Sequence, residues 1–139
     1  MRVLVACEFS GTVREAFAAR GHDAWSCDLL PTERAGQHFQ CDVRAVLKQG
    51  WDLMVAHPPC THLAASGARW FAAKRAQARL AVDLGPAPSD QDESVAFVRE
   101  LLAAPIERVA LENPVGVLWH CHWAAKPSHT ALAVWPWRD

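Results

Sequence analysis

Asp52-Leu53-Met54-Val55-Ala56-His57-Pro58-Pro59-Cys60-Thr61 holds the most informative transition in the chain: a short apolar run stops at two prolines, and a cysteine follows. An apolar run of this length bounded by turn residues predicts a strand covered on both faces, as in parallel sheets. The prolines fix φ and remove the segment from ladder and helical hydrogen bonding, so Cys60 stands on backbone with few alternative conformations. Ligands of open α/β sheets gather outside the carboxyl ends of the strands, and a thiol placed there is a candidate nucleophile.

Working outward, the same alternation of short apolar runs and helical stretches recurs. Arg2 to Cys7 reads as a strand, followed by the turn Ser10-Gly11. Thr12-Val13-Arg14-Glu15 is a capping-box pattern opening a helix that ends at Gly21. His22 to Asp28 is a second strand. A polar loop then leads to Cys41-Asp42 and a short helix, Val43 to Lys48, stopped by Gly50. Beyond Cys60, Gly67 to Leu84 reads as a helix with a mixed basic and aromatic side, and Gly85-Pro86-Ala87-Pro88-Ser89 breaks it. Ser89 with Asp92 can cap a further helix ended by Pro105. Glu107 to Glu112 is another strand, closed by Asn113-Pro114, and Thr130 to Val134 is a last, weaker candidate. Strands alternating with helices predict a parallel, doubly wound, Rossmann-like α/β sheet, with residues 1–139 as a single domain.

Composition narrows the function. The 139 residues are 51% hydrophobic and 21% charged, a globular balance. A net charge of -1 gives no electrostatic footprint for tight binding to nucleic acid through phosphate contacts alone. Five cysteines, an odd number, argue against a disulfide framework and for a reducing cytoplasm. The apolar start before Glu8 is too short for the core of a signal peptide, and no run approaches membrane-spanning length, so a soluble protein without membrane contact is expected.

Polar residues fall at the predicted strand ends: Glu8 to Gly11, Asp28, Cys60 and Glu112, with Asp42 after the loop. A carboxylate after the second strand suits a ribose diol, because an ionised acid accepts from both hydroxyls. The first turn, Phe9-Ser10-Gly11-Thr12-Val13, has one glycine and matches the dinucleotide fingerprint poorly, which favours S-adenosylmethionine over a pyrophosphate cofactor. Each residue also has a plainer reading. Cys60 could be structural, Glu112 could cap a loop or pair with an arginine, Asp28 and Asp42 could be turn or N-cap residues, and Cys7, Cys27 and Cys41 read as small core residues. His57, Cys60 and His62, with His120, Cys121 and His122, carry metal-ligand side chains. Consecutive residues of extended chain point to opposite faces, however, and a zinc site is not expected.

Taken in order, these residues resemble the DNA cytosine-5 methyltransferases, most closely the small methyltransferase-like proteins of phage and mobile elements, over Met1 to about Gly116. Phe9-Ser10-Gly11 looks like the family's cofactor turn, with Val13 where a second glycine is usual. Pro59-Cys60 resembles the Pro-Cys nucleophile motif, and Glu112-Asn113-Pro114 the Glu-Asn-Val motif. The resemblance implies S-adenosylmethionine bound by Phe9, Ser10, Gly11, Thr12, Asp28, Asp42 and Pro59, and DNA as the partner. It also implies a mechanism. The Cys60 thiolate adds to carbon 6 of cytosine, Glu112 protonates or hydrogen-bonds ring nitrogen 3, Asn113 holds the loop that orients it, and carbon 5 takes the methyl group. His57 or His62 is near enough in sequence to help ionise the thiol.

The family's later arginine-bearing strand, its target-recognition region and its closing cofactor helix find no counterpart before Asp139. The chain therefore reads as a cofactor and nucleophile half, shortened at its C-terminus, with DNA binding weak or dependent on another chain. Trp119, Trp123, Trp135 and Trp137 near the end read as core, as base-stacking surfaces, or as an exposed apolar patch, and the last implies self-association. A second reading, of a different class, is a non-catalytic remnant or binding module that keeps the fold. Thymidylate-synthase-like chemistry on a free nucleotide also uses a Pro-Cys thiolate, but no arginine cluster for a phosphate is apparent.

Overall fold

The computed structural model describes residues 1–63, 90–114 and 130–135. Six strands form one all-parallel sheet: β1 (Arg2–Ala6), β2 (Asp23–Asp28), β3 (His38–Gln40), β4 (Leu53–Ala56), β5 (Arg108–Pro114) and β6 (Thr130–Trp135), in the spatial order β3-β2-β1-β4-β5-β6. The helices are α1 (Thr12–Ala18) and α2 (Asp90–Ala103), with a 3-10 turn at Val43–Ala45.

Central β1 explains the layering. Val3, Leu4, Val5 and Ala6 are all fully buried, which requires cover on both faces of the sheet. Val3 and Val5 pack with Ala24, Val13, Phe17 and Leu53 under α1. Leu4 and Ala6 belong to the opposite, larger cluster with Met54, Ala56, Val98, Leu101, Val109 and Leu111 under α2. The strand order reverses between β1 and β4: the chain runs outward through β2 and β3, then returns to lay β4 on the other side of β1. At such a switch point the strand-connecting turns diverge and leave a crevice.

Several predicted elements take different form. The β3 strand was not expected; His38-Phe39-Gln40 is polar around a single aromatic, too short to show a period, and it forms by pairing with Ser26 to Asp28. Phe39 then stacks on Trp25 with ring centroids 4.6 Å apart and meets the edge of Trp51. The helix expected over Val43 to Lys48 is only the 3-10 turn Val43–Ala45, capped by the Asp42 carboxylate on the Arg44 amide. The capping box at Thr12 does not form. Gly11 is the N-cap of α1, and the cap is supplied from outside the helix by Glu8. The expected helix Gly67 to Leu84, the breaker Gly85 to Ser89, the cluster His120-Cys121-His122, and Trp119, Trp123 and Trp137 lie outside the described residues. The last candidate strand is present as β6, paired with β5 from Val109 to Pro114.

Candidate functional site

Two turns flank the crevice between β1 and β4. The first follows β1. Cys7 adopts a left-handed conformation, φ 59°, uncommon for a residue with a Cβ and the kind of strain that clusters at ligand sites. It swings the chain so that the Glu8 carboxylate points beneath α1. There the carboxylate accepts hydrogen bonds from the Val13 amide at 2.6 Å, the Arg14 amide at 3.2 Å and the Ser10 hydroxyl at 3.1 Å. The positive end of a helix is an anion site, and in this chain it is filled by the chain's own side chain. Gly11 is required beside it, because a Cβ there would stand 2.6 Å from Nη2 of buried Arg14.

The second turn follows β4. Pro58 is buried and Leu63 is fully buried in the core, so the segment carrying Cys60 is held at both ends. The Leu63 amide donates to the Cys60 carbonyl at 2.9 Å, and Gln91 Nε2 donates to the His62 carbonyl. Cys60 itself is exposed.

A cavity of about 260 Å³ lies over the ends of β2 and β1, walled by Cys7, Cys27, Asp28, Cys41, Asp42 and Pro59. A second, of about 210 Å³, shares the Cys7 wall and is bounded by Glu8, Phe9, Ser10, Val13 and His57. Of the residues assigned to a cofactor from sequence, Asp28, Asp42 and Pro59 meet in the first cavity, and Phe9 and Ser10 line the second. Gly11 and Thr12 line neither. Asp28 spends one oxygen, Oδ1, on the Leu30 amide. Asp42 binds the Arg44 amide with one oxygen and its guanidinium with the other, and the amide bond above all holds its carboxyl below the usual carboxylate range. The cap reading of Asp42 is therefore correct as far as it goes, and the residue faces the cavity as well.

Two thiols of the first cavity, Cys7 and Cys27, are held in their protonated form. Burial, reinforced by Asp28 and Asp42, pushes the Cys7 thiol up to about 12. Burial and neighbouring Cys41, whose sulfur lies 3.9 Å away, do the same for Cys27. They form a soft, neutral wall, and Cys60 stands apart from them on its exposed turn.

Parallel pairing of Ala56 with Leu111 sets His57 and Glu112 side by side at the ends of β4 and β5. His57 Nδ1 lies 3.6 Å from Glu112 Oε2. This pair was not expected from sequence, which assigned His57 or His62 to Cys60; His62 instead faces Asp90 at 3.9 Å. The missed signal was register: parallel strands of equal lead place the residue before the prolines opposite the glutamate. Asn113 is 1% exposed, and neither atom of its amide has a hydrogen-bond partner among the described residues. Among the described residues no group of three or more His, Cys, Asp and Glu side chains is placed to hold a metal ion, and no helix is long and apolar enough to cross a membrane. No family model, curated protein or solved structure matches the chain.

Proposed function

We propose that the chain is a Rossmann-like, methyltransferase-type domain that binds S-adenosylmethionine over the β1–β4 crevice and acts on carbon 5 of cytosine in DNA. The observation that carries this reading is the Glu8 carboxylate under α1. A parallel sheet of this strand order also suits a dinucleotide, but a dinucleotide needs that helix end for its pyrophosphate. With Glu8 there, the crevice suits a nucleoside ligand without phosphates. The residues present fit such a ligand: Asp28 has a second oxygen, Oδ2, for a ribose hydroxyl, and each Asp42 oxygen has a further lone pair for an exocyclic amine. The Cys7 and Cys27 side chains and Pro59 offer apolar walls for a purine.

When bound, the cofactor supplies an electrophilic methyl group. The chain's own residues do the rest. The Cys60 thiolate bonds to carbon 6 of the base while Glu112 gives a proton or hydrogen bond to ring nitrogen 3, so that carbon 5 becomes nucleophilic. After methylation, loss of the carbon 5 proton expels the thiolate. Exposure of Cys60 and the half-exposed Glu112 side chain leave both accessible to a base.

Isothermal titration with S-adenosylmethionine tests the binding. The expected result is saturable binding that Asp28→Ala weakens on the order of tenfold, the loss of one charge-assisted contact. No heat at millimolar cofactor removes the proposal. DNA containing 5-fluorocytosine tests the chemistry, because fluorine cannot leave as a cation and the adduct persists. Cys60→Ser should form none, and an equal adduct yield from the variant would assign the nucleophile elsewhere. A chain that binds the cofactor yet never forms the adduct fits the second reading, a binding module keeping the fold.

A further inference from the structure

We propose that His57 is the positioning residue of Glu112, donating from Nδ1 to fix the direction of that carboxylate at the end of β5; its consequence for base chemistry rests on the function proposed above. Three observations converge. Strand register sets the two residues side by side at the sheet end, and the His57 amide is itself bonded to the Ala6 carbonyl at 3.0 Å. Nδ1 is the nitrogen that faces the carboxylate, at 3.6 Å. Nε2 is buried and has no hydrogen-bond partner among the described residues.

The two nitrogens therefore have different roles. A proton on Nδ1 faces a carboxyl oxygen at 3.6 Å, just beyond hydrogen-bond length and within reach of a small side-chain shift; a proton on Nε2 would be a buried donor with no partner among the described residues. The geometry selects the Nδ1–H form, the less common tautomer of a free neutral imidazole, and maintains it through Glu112. The other ionisable groups near the ring do not compete for Nδ1. Glu8, across the second cavity, has its oxygens on the α1 amides and Ser10, and Cys7 keeps its proton.

For Glu112 the effect is orientation. Its side chain is 43% exposed, and a carboxyl group free to rotate in solvent would seldom point its O–H at a ring nitrogen. An N–H drawn to the carbonyl oxygen leaves the O–H that serves ring nitrogen 3 aimed, and misdirection of a catalytic group on the ångström scale costs large factors in rate.

Two measurements test this. Long-range proton–nitrogen NMR of the imidazoles reads the tautomer directly and needs neither cofactor nor DNA. His57 should carry its proton on Nδ1 in the parent chain and lose that signature in Glu112→Leu. A parent Nε2–H form, or an Nδ1–H form unchanged by Glu112→Leu, overturns the proposal. The second measurement is the rate of adduct formation with 5-fluorocytosine DNA. His57→Ala should slow it by about tenfold or more. His57→Asn, whose amide nitrogen stands near the position of Nδ1, should restore most of the rate, and His57→Gln, which reaches the Nε2 position, should not. Equal rates for parent and His57→Ala overturn the positioning role. Failure of the parent to form any adduct counts against the proposed function, and the tautomer measurement then decides the His57–Glu112 pair by itself.

Discussion

Gly36→Ala should destabilise the protein far more than an exposed loop substitution ordinarily does, because of what lies behind the glycine. Arg14 is 2% exposed, and its guanidinium meets no carboxylate among the described residues. It is held by the Ser26 and Thr32 hydroxyls at 3.0 and 3.1 Å and by the Arg34 and Ala35 carbonyls at 2.9 and 3.2 Å. A Cβ on Gly36 would stand 2.9 Å from both Cζ and Nη2 and 3.0 Å from Nε. The residue's φ of 149° adds strain of about 1–2 kcal/mol for any side chain. The guanidinium cannot swing away freely, because doing so loosens bonds from a charged donor, worth about 1.5–3 kcal/mol each. The expected total is about 3–4 kcal/mol.

Gly21 provides the control: its φ is 78°, yet a Cβ there meets nothing within 4 Å, so Gly21→Ala should cost only about 1–2 kcal/mol of backbone strain. Urea unfolding followed by tryptophan fluorescence, at unchanged m-value, reads both. In an Arg14→Met background the clash disappears and Gly36→Ala should fall to about the cost of Gly21→Ala, a coupling of roughly 2 kcal/mol. Equal costs for the two glycine variants in the parent chain, or additivity with Arg14→Met, would refute the packing argument.

Glu8→Gln replaces one accepting oxygen under α1 by a donor and should cost about 1–2 kcal/mol in the same assay; no loss would mean that the cap does not hold in solution. Brief alkylation at pH 8 should modify Cys60 and spare Cys7 and Cys27, by peptide mass spectrometry; labelling of Cys27 as fast as Cys60 contradicts the buried, proton-retaining wall. Because those two thiols are raised to about 12 against 9.0 when unfolded, their protonated state favours the fold less and less above pH 9, and stability should decline from there upward. Asp42 has the opposite sign. Its depressed carboxyl contributes stability above the unfolded value of 3.8 that is lost as pH falls through the folded value. The stability difference between parent and Asp42→Ala should therefore be level at neutral pH and shrink only below that range; a gap that persists undiminished into strong acid would refute the assignment.

The sheet was legible where burial imposes a pattern. Val3 to Ala6 are covered on both faces, and Leu53 to Ala56 and Val109 to Leu111 alternate buried with half-buried residues, so short apolar runs follow from their cover. What escaped was held by distant partners. His38-Phe39-Gln40 becomes a strand only beside β2, and Phe39 has a place only because Trp25 and Trp51 enclose it. Thr12 and Glu15 carry the pattern of a local cap, but the Glu8 carboxylate, brought beneath the helix by the turn after β1, accepts from the Val13 and Arg14 amides instead. Asp28, Asp42 and Pro59 line one cavity because Asp28 and Pro59 stand at the ends of expected strands and Asp42 precedes the turn expected as a helix. The His57–Glu112 pair was not legible, since it depends on how two strands 50 residues apart are staggered, and no local spacing encodes that.

The carboxylate beneath α1 has a consequence for life among competing metabolites. Adenosine is the common handle of the most abundant nucleotides in any cell, so a pocket that recognised the purine and ribose alone would be saturated by them. In the proposed function, Glu8 at the head of α1 makes the crevice repel anything that brings phosphates to that helix end. Selectivity of this kind needs no added binding group for the preferred ligand. Under that proposal it works by exclusion, from a residue that already caps α1, so that discrimination and folding would come under the control of one side chain.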